Sequence, residues 1–206
     1  YRVKAILTPT GINLENIKNL RKINKNSDLR IGFFGQYSYN KSPLDLLDCF
    51  LELSPVNAEL FMAAENINLF KEKFLYKKVK GNNNIIMKGY LDDIYSYINS
   101  CDIVVVPFIS DYGVLGLDQT VIDSMSLGKV VIGYSSVTIR PLIAHGDDGF
   151  LYKNKDELKR YLNILIRNPT LRKSMGTKAQ KKIMTYYNID KTVEKIYRIF
   201  RTFQRN

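Results

Sequence analysis

Cysteine and histidine are scarce in this sequence. The 206 residues contain two cysteines and one histidine. Cys49 precedes FLEL and Cys101 precedes DIVVV, so each sits in an apolar setting. The two therefore read as buried structural thiols of a reducing compartment rather than as a disulfide framework. No Cys/His cluster has the spacing of a zinc site. His145 is followed by Gly146 and reads as a turn residue, without the neighbours that would make it a general base. No apolar run approaches the ~20 residues a membrane-spanning helix needs. No secretory signal pattern opens the chain, and there is neither a 20–50-residue repeat nor a low-complexity tract. The first residue is Tyr1 rather than Met, which predicts a piece of a longer protein.

What is present is a domain-sized chain with an ordinary globular composition, 45% hydrophobic and 25% charged. Its net charge of +11 is unevenly placed. Residues 1–152 carry sixteen basic and sixteen acidic residues, whereas residues 153–206 carry fifteen and four. The closing quarter reads as helical, so it presents a basic face. That face is a solvated surface or one drawn to an anionic membrane or another polyanion.

Apolar runs alternate with helical patterns along the chain. Strands are predicted at 30–34 (RIGFF), 58–63 (AELFMA), 85–87, 103–106, 130–132 and 150–152. Helices are predicted from Ser42 to the residue before Pro55, at 65–80 with Ile67, Phe70, Phe74 and Leu75 as its stripe, and at 92–99 with Ile94, Tyr95 and Ile98 inward. Further helices are expected at 119–127, stopped by Gly128, and at 156–167, about 170–185 and 190–204. Ser42, Pro43 and Asp45 form a strong helix start. This alternation predicts an α/β fold, a Rossmann-like parallel sheet of six strands flanked by helices, with helices at the C-terminus. Residues 1–28 read as a polar linker and 29–206 as the compact domain.

Two loops have ligand-binding character. The first follows RIGFF and ends with Lys41 ahead of a capped helix, where free N–H groups and the helix dipole attract phosphate. The second spans 107–118. There Asp118 caps a helix whose first residues, Gln119 and Thr120, would turn their N–H groups towards the crevice beyond the strand ends. Asp123, one turn further, is either an exposed carboxylate or an acceptor for a ribose diol; its apolar neighbours Val121, Ile122 and Met125 argue against full exposure.

In order along the chain, several segments resemble the C-terminal, donor-binding half of GT-B retaining glycosyltransferases, the glycosyl transferases group 1. GFFGQYSYNKSPLDLL resembles the phosphate-contacting loop, VIDSMSLGKVVI the signature helix and strand, and LIAHGDDGFLY the glycine turn that follows. The resemblance implies a nucleotide-sugar donor, a UDP-sugar in the first instance. It assigns Gln36, Lys41, Gln119 and Thr120 to the donor phosphates, Asp111, Gly116 and Asp118 to the sugar and its loop, and Asp123 to the ribose. It implies no metal and no cofactor, and it leaves the catalytic groups unassigned. A glycan or lipid-linked acceptor would sit on a separate N-terminal domain. The setting implied is bacterial surface-polysaccharide synthesis (O-antigen, capsule or lipopolysaccharide) in the cytoplasm, peripheral to the inner face of the plasma membrane through the basic 153–206 segment. Three positions depart from the family pattern: Gln36 replaces an arginine, Leu115 replaces the first glutamate of Glu-x7-Glu, and 135–140 lacks the usual Gly-Gly and Glu. These favour a competing reading, a worn binding or scaffold module of the same fold. A nucleic-acid-binding α/β protein is a further alternative suggested by the basic tail, but no recognition motif supports it and no nucleic acid is expected as partner.

Overall fold

Six short apolar segments pair edge to edge, all in parallel. They are β1 (Leu29–Phe34), β2 (Ala58–Ala63), β3 (Ile85–Lys88), β4 (Ile103–Val106), β5 (Val130–Tyr134) and β6 (Gly149–Tyr152). The computed structural model describes residues 11–36, 41, 43–65, 76–108, 110 and 116–203. Every residue of β1, β2 and β4 is buried, which is why these strands read as continuous apolar runs rather than alternating ones. The spatial order is β3-β2-β1-β4-β5-β6, the doubly wound order in which the direction of winding reverses between β1 and β4. The predicted parallel α/β architecture is the one observed.

The helices are α1 (Pro43–Leu53), α2 (Tyr76–Val79), α3 (Ile94–Ser100), α4 (Gln119–Ser126), α5 (Lys155–Arg167), α6 (Pro169–Tyr186) and α7 (Ile189–Phe203). Alternate strand side chains feed two cores. On one face Ile31, Leu60 and Val105 pack with Leu46 and Phe50 of α1 and Leu162 of α5. On the other, Phe61, Val104 and Val131 pack with Ile98 of α3, Val121 of α4 and Ile183 of α6. Each such side chain contributes about 1.5–3 kcal/mol by leaving water.

Local signals set the helix ends. Asp93 caps α3 through Ser96 N–H, so that helix begins two residues later than its apolar pattern suggested. Asn154 caps α5. Pro169 stops α5 and at the same time occupies the opening turn of α6, capped by Asn168. Gly128 ends α4 with φ +70°, the left-handed conformation a helix C-terminus favours. The Ser42 cap and most of the predicted 65–80 helix, with its stripe Ile67, Phe70, Phe74 and Leu75, lie outside the described residues; only its last turn, α2, is described.

The segment before β1 is tied down at several points. Ile12 N–H donates to Tyr187 O at 2.7 Å and Ile12 O accepts from Ile189 N–H at 3.2 Å, at the junction of α6 and α7. Below the sheet, Arg30 and Glu59 form a fully buried ion pair. Arg30 also donates to Ser100 Oγ at 2.6 Å and Asn24 O at 2.7 Å, and Glu59 accepts from Asn26 N–H at 3.1 Å. This one pair thus joins β1, β2, α3 and the entering segment.

The basic C-terminal helices are less uniformly solvated than their composition suggested. Lys155 and Lys159 pair with Glu52 of α1, and Lys178 and Lys182 pair with Asp147 and Asp148. Four of the cations therefore pair α5 and α6 with the sheet domain. The outermost helix, α7, keeps Val193, Tyr197 and Phe200 exposed.

Removing one partner of a buried, hydrogen-bonded ion pair strands the other, at a cost of about 3–5 kcal/mol. Glu59→Ala is expected to lower the unfolding free energy in urea by about that amount. The double replacement Arg30→Met with Glu59→Leu is expected to lose much less than the sum of the two single changes.

Candidate functional site

The reversal of winding between β1 and β4 leaves a crevice at the C-terminal ends of these strands, because the connections on either side leave in opposite directions. Two of the sequence-predicted elements meet there. Lys41, at the end of the β1–α1 loop, places Nζ 3.7 Å from Asp118 Oδ2 and 5.1 Å from the Phe108 ring centroid. Asp118 is buried, and its Oδ1 accepts from Val121 N–H at 3.1 Å, capping α4 as expected. The N–H groups of Gln119 and Thr120 meet no acceptor among the described residues. They form a donor pair at the positive end of the helix dipole, beside a lysine.

Asp123 is buried, with a relative exposure of 6%, and so is not the solvated carboxylate of the simpler alternative. Gln119 Nε2 donates to its Oδ1 at 2.8 Å, and the Tyr95 hydroxyl lies 3.5 Å from the same oxygen. Burial pushes the Asp123 carboxyl up to about 6; the bonds from Gln119 and Tyr95 pull it back in part, and the Asp118 charge adds to the rise. A carboxylate kept so short of water, with donors on one oxygen, is poised to accept further hydrogen bonds on the other.

Gln36 faces the other side of the crevice. With Phe34, Ala63, Ala64 and Tyr90 it lines a cavity of ≈ 370 Å³ beyond the ends of β1, β2 and β3. Gly116 is exposed, with φ +73°, and opens the approach to α4. Asp111 and Leu115 lie outside the described residues. Lys41, Asp118, Gln119, Thr120 and Asp123 are thus brought together, with Gln36 on the neighbouring wall.

Two features escaped the sequence reading. Phe108, the platform under Lys41, falls in the 107–118 loop, and nothing in its sequence context marks it for a role. Tyr95 was taken for a core residue with Ile94, yet Ile94 is 36% exposed and borders the cavity, while the Tyr95 hydroxyl reaches the site. His145 is structural: its Nδ1 accepts from Leu151 N–H at 3.0 Å and its ring lies edge-on to Phe150 and Tyr161. Among the described residues no group of His, Cys, Asp and Glu could hold a metal ion.

The family model of "Glycosyl transferases group 1" matches residues 15–182. The chain belongs to the glycosyl transferases group 1 family. An uncharacterized glycosyltransferase of Methanocaldococcus jannaschii is 25% identical over 187 residues, covering 84% of this chain and 47% of that protein. Two solved structures share the fold. HepE of Anabaena, in complex with UDP-glucose, has a TM-score of 0.75 at 19% identity, over 86% of this chain and 49% of that one. WaaG, a glycosyltransferase involved in lipopolysaccharide biosynthesis, has a TM-score of 0.70 at 15% identity, over 87% and 52%. The chain thus spans about half the length of each of these proteins. In this family frame the crevice between β1 and β4 is the candidate donor site.

Three outcomes follow from the charges here. Ribose hydroxyls donate more strongly to an ionised than to a protonated carboxyl, so nucleotide-sugar affinity is expected to fall as pH drops from 7.5 through about 6, where Asp123 takes up its proton. It should stay flat in Asp123→Asn, both read by titration calorimetry. The stability effect has the opposite sign. A carboxyl raised to about 6 favours folding below its unfolded value of about 3.9 and loses that contribution as pH rises through about 6. Asp123→Asn is therefore expected to melt above the parent at pH 8. Asp118→Asn keeps the helix cap, since Asn and Asp cap about equally well, and removes the anion beside Lys41. Nucleoside diphosphates are expected to bind this variant several-fold tighter, by about 1 kcal/mol for a partly exposed charge pair.

Proposed function

We propose that this chain is the donor-binding half of a retaining glycosyltransferase that moves a sugar from a nucleotide sugar, a UDP-sugar in the first instance, to a glycan or lipid-linked acceptor. The observation that carries the reading is the convergence on one crevice of Lys41, the Asp123 carboxylate, and the N–H groups of Gln119 and Thr120, which meet no acceptor among the described residues. In that arrangement the pyrophosphate lies at the start of α4 with Lys41 beside it. The ribose diol reaches Asp123, the sugar extends towards Gly116 and Asp118, and the base enters the cavity lined by Phe34, Ala63 and Tyr90. Helix end and lysine together offset the charge of a leaving nucleoside diphosphate, the role a metal ion plays elsewhere. The acceptor and further groups of the reaction would come from a separate domain. The resemblance of the HepE and WaaG folds supports the reading, since one binds UDP-glucose and the other serves lipopolysaccharide biosynthesis. On this reading the whole protein acts in bacterial surface-polysaccharide synthesis at the cytoplasmic face of the inner membrane.

A second reading, a module that binds donor without transferring it, is favoured by Gln36 in place of a cation and by the Asp118 carboxylate that occupies Lys41. Transfer by the complete protein separates the two.

Titration of the chain with UDP-, GDP- and ADP-sugars is expected to give saturable heat with at least one. Lys41→Ala and Asp123→Ala are each expected to weaken that binding about tenfold or more, as loss of one charged hydrogen bond does. No heat with any donor would overturn the donor-site reading.

The membrane association rests on α7, where Lys191, Lys195, Arg198 and Arg201 share a helix with exposed Val193, Tyr197 and Phe200. The chain is expected to sediment with phosphatidylglycerol vesicles, to release at high salt as exposed charges are screened, and to ignore phosphatidylcholine.

A further inference from the structure

Tyr95 contributes no charge to the donor crevice and, as part of α3, would pass for packing. Its hydroxyl nevertheless stands between two polar side chains that are distant in sequence. Asn16 Nδ2, in the segment leading into the domain, donates to Tyr95 Oη at 3.1 Å. On the other side Tyr95 Oη lies 3.5 Å from Asp123 Oδ1. An ionised carboxylate can only accept, so the phenol donates to Asp123 and its oxygen takes the hydrogen of the Asn16 amide. The polarity of the chain Asn16 to Tyr95 to Asp123 is thereby fixed.

The consequence lies on the carboxylate. A carboxylate oxygen has room for about two donors. Oδ1 has two, Gln119 Nε2 at 2.8 Å and the Tyr95 hydroxyl. Among the described residues no hydrogen bond reaches Oδ2, and it is not one of the sealed, partnerless atoms, of which only Tyr152 Oη is found. Oδ2 is therefore the oxygen left with both acceptor positions, and two acceptor positions on one atom match the two hydroxyls of a vicinal diol.

We infer that Tyr95 is a positioning residue for ribose recognition: its hydroxyl, oriented by Asn16, holds Asp123 Oδ1 so that Oδ2 is presented to the 2′- and 3′-hydroxyls of the bound nucleotide. The inference rests on the reading of Asp123 as the ribose acceptor and adds what sets that carboxylate. Gln119 alone would leave the carboxylate free to rotate about χ2. A second donor from another element removes that freedom before the ligand arrives. The same relay makes the ribose contact sensitive to where the entering segment lies, since Asn16 belongs to it.

The test compares UDP, GDP and ADP, and for whichever binds, its 2′-deoxy counterpart. Calorimetry is run at pH 7.5 on the parent chain and on Tyr95→Phe, Asn16→Leu and Asp123→Ala. The parent is expected to favour the ribonucleotide by about tenfold, as loss of a hydrogen bond to a charged group implies. Asp123→Ala should erase that ratio. Tyr95→Phe, which keeps the ring and the packing, should cut the ratio to about threefold or less while leaving the deoxynucleotide affinity within about twofold of the parent. Asn16→Leu leaves Tyr95 intact and should lower the ratio in the same direction, which carries the test if Tyr95→Phe fails to fold. A ratio lost in Asp123→Ala but unchanged in both Tyr95→Phe and Asn16→Leu overturns the inference and leaves the ribose reading standing. Equal weakening of both nucleotides by Tyr95→Phe assigns the residue to packing and overturns it too. A parent that binds no nucleotide, or does not distinguish the two, removes the ribose reading and the inference with it.

Discussion

The pairing of β1 with β4 is the constraint on which the rest of the structure depends. The chain visits β2 and β3 before it returns, yet β4 settles against the free side of β1, with Ile31 beside Ile103 and Gly32 beside Val104. A parallel crossover has one favoured hand, so the connections on the two sides of this pair cover opposite faces of the sheet. Between them the strand ends are left open. The loop after β1 delivers Lys41 to that opening and the loop after β4 delivers the capped start of α4. Neither makes a site alone. Together they place a lysine, a pair of unmet N–H groups and a buried carboxylate around one crevice.

Buried charge is handled in two ways in this domain. At the lower end of the sheet, Arg30 and Glu59 are enclosed and their remaining capacity is met by Ser100, Asn24 and Asn26. Such a pair fixes how the strands and the entering segment sit together but leaves nothing for a ligand. At the upper end, Asp123 is also buried but, among the described residues, is met on one oxygen only, and burial holds its carboxyl well above the ordinary range. An ionisable group left partly unmet in a cleft is the usual mark of a binding site. The contrast between the two ends marks the upper one as the candidate ligand crevice.

The uneven charge of the chain has a structural cause as well as a functional use. The neutral first three quarters and the basic closing quarter meet through Glu52, Asp147 and Asp148, which accept lysines from α5 and α6. These helices complete both cores. The outermost helix, α7, carries a further set of cations beside exposed Val193, Tyr197 and Phe200.

The strands, most helices and their stops were legible in the sequence, because each depends on residues a few positions apart. Continuous apolar runs such as IVVV can be buried on both faces only in a covered parallel sheet. Asp118 had to cap, and Gly128 had to stop α4, by local stereochemistry alone. The same locality made Lys41, Gln119, Thr120 and Asp123 visible as candidates. What the sequence could not disclose is which of them would meet. The ion pair of Lys41 with Asp118, the platform of Phe108, and the relay from Asn16 through Tyr95 to Asp123 join residues far apart along the chain, 79 positions in the case of Asn16 and Tyr95. Such contacts depend on the strand order and on how deeply each helix sits. By itself the sequence determined the elements and the chemistry they carry; the tertiary structure decided which groups face one crevice, and which oxygen of Asp123 remains open within it.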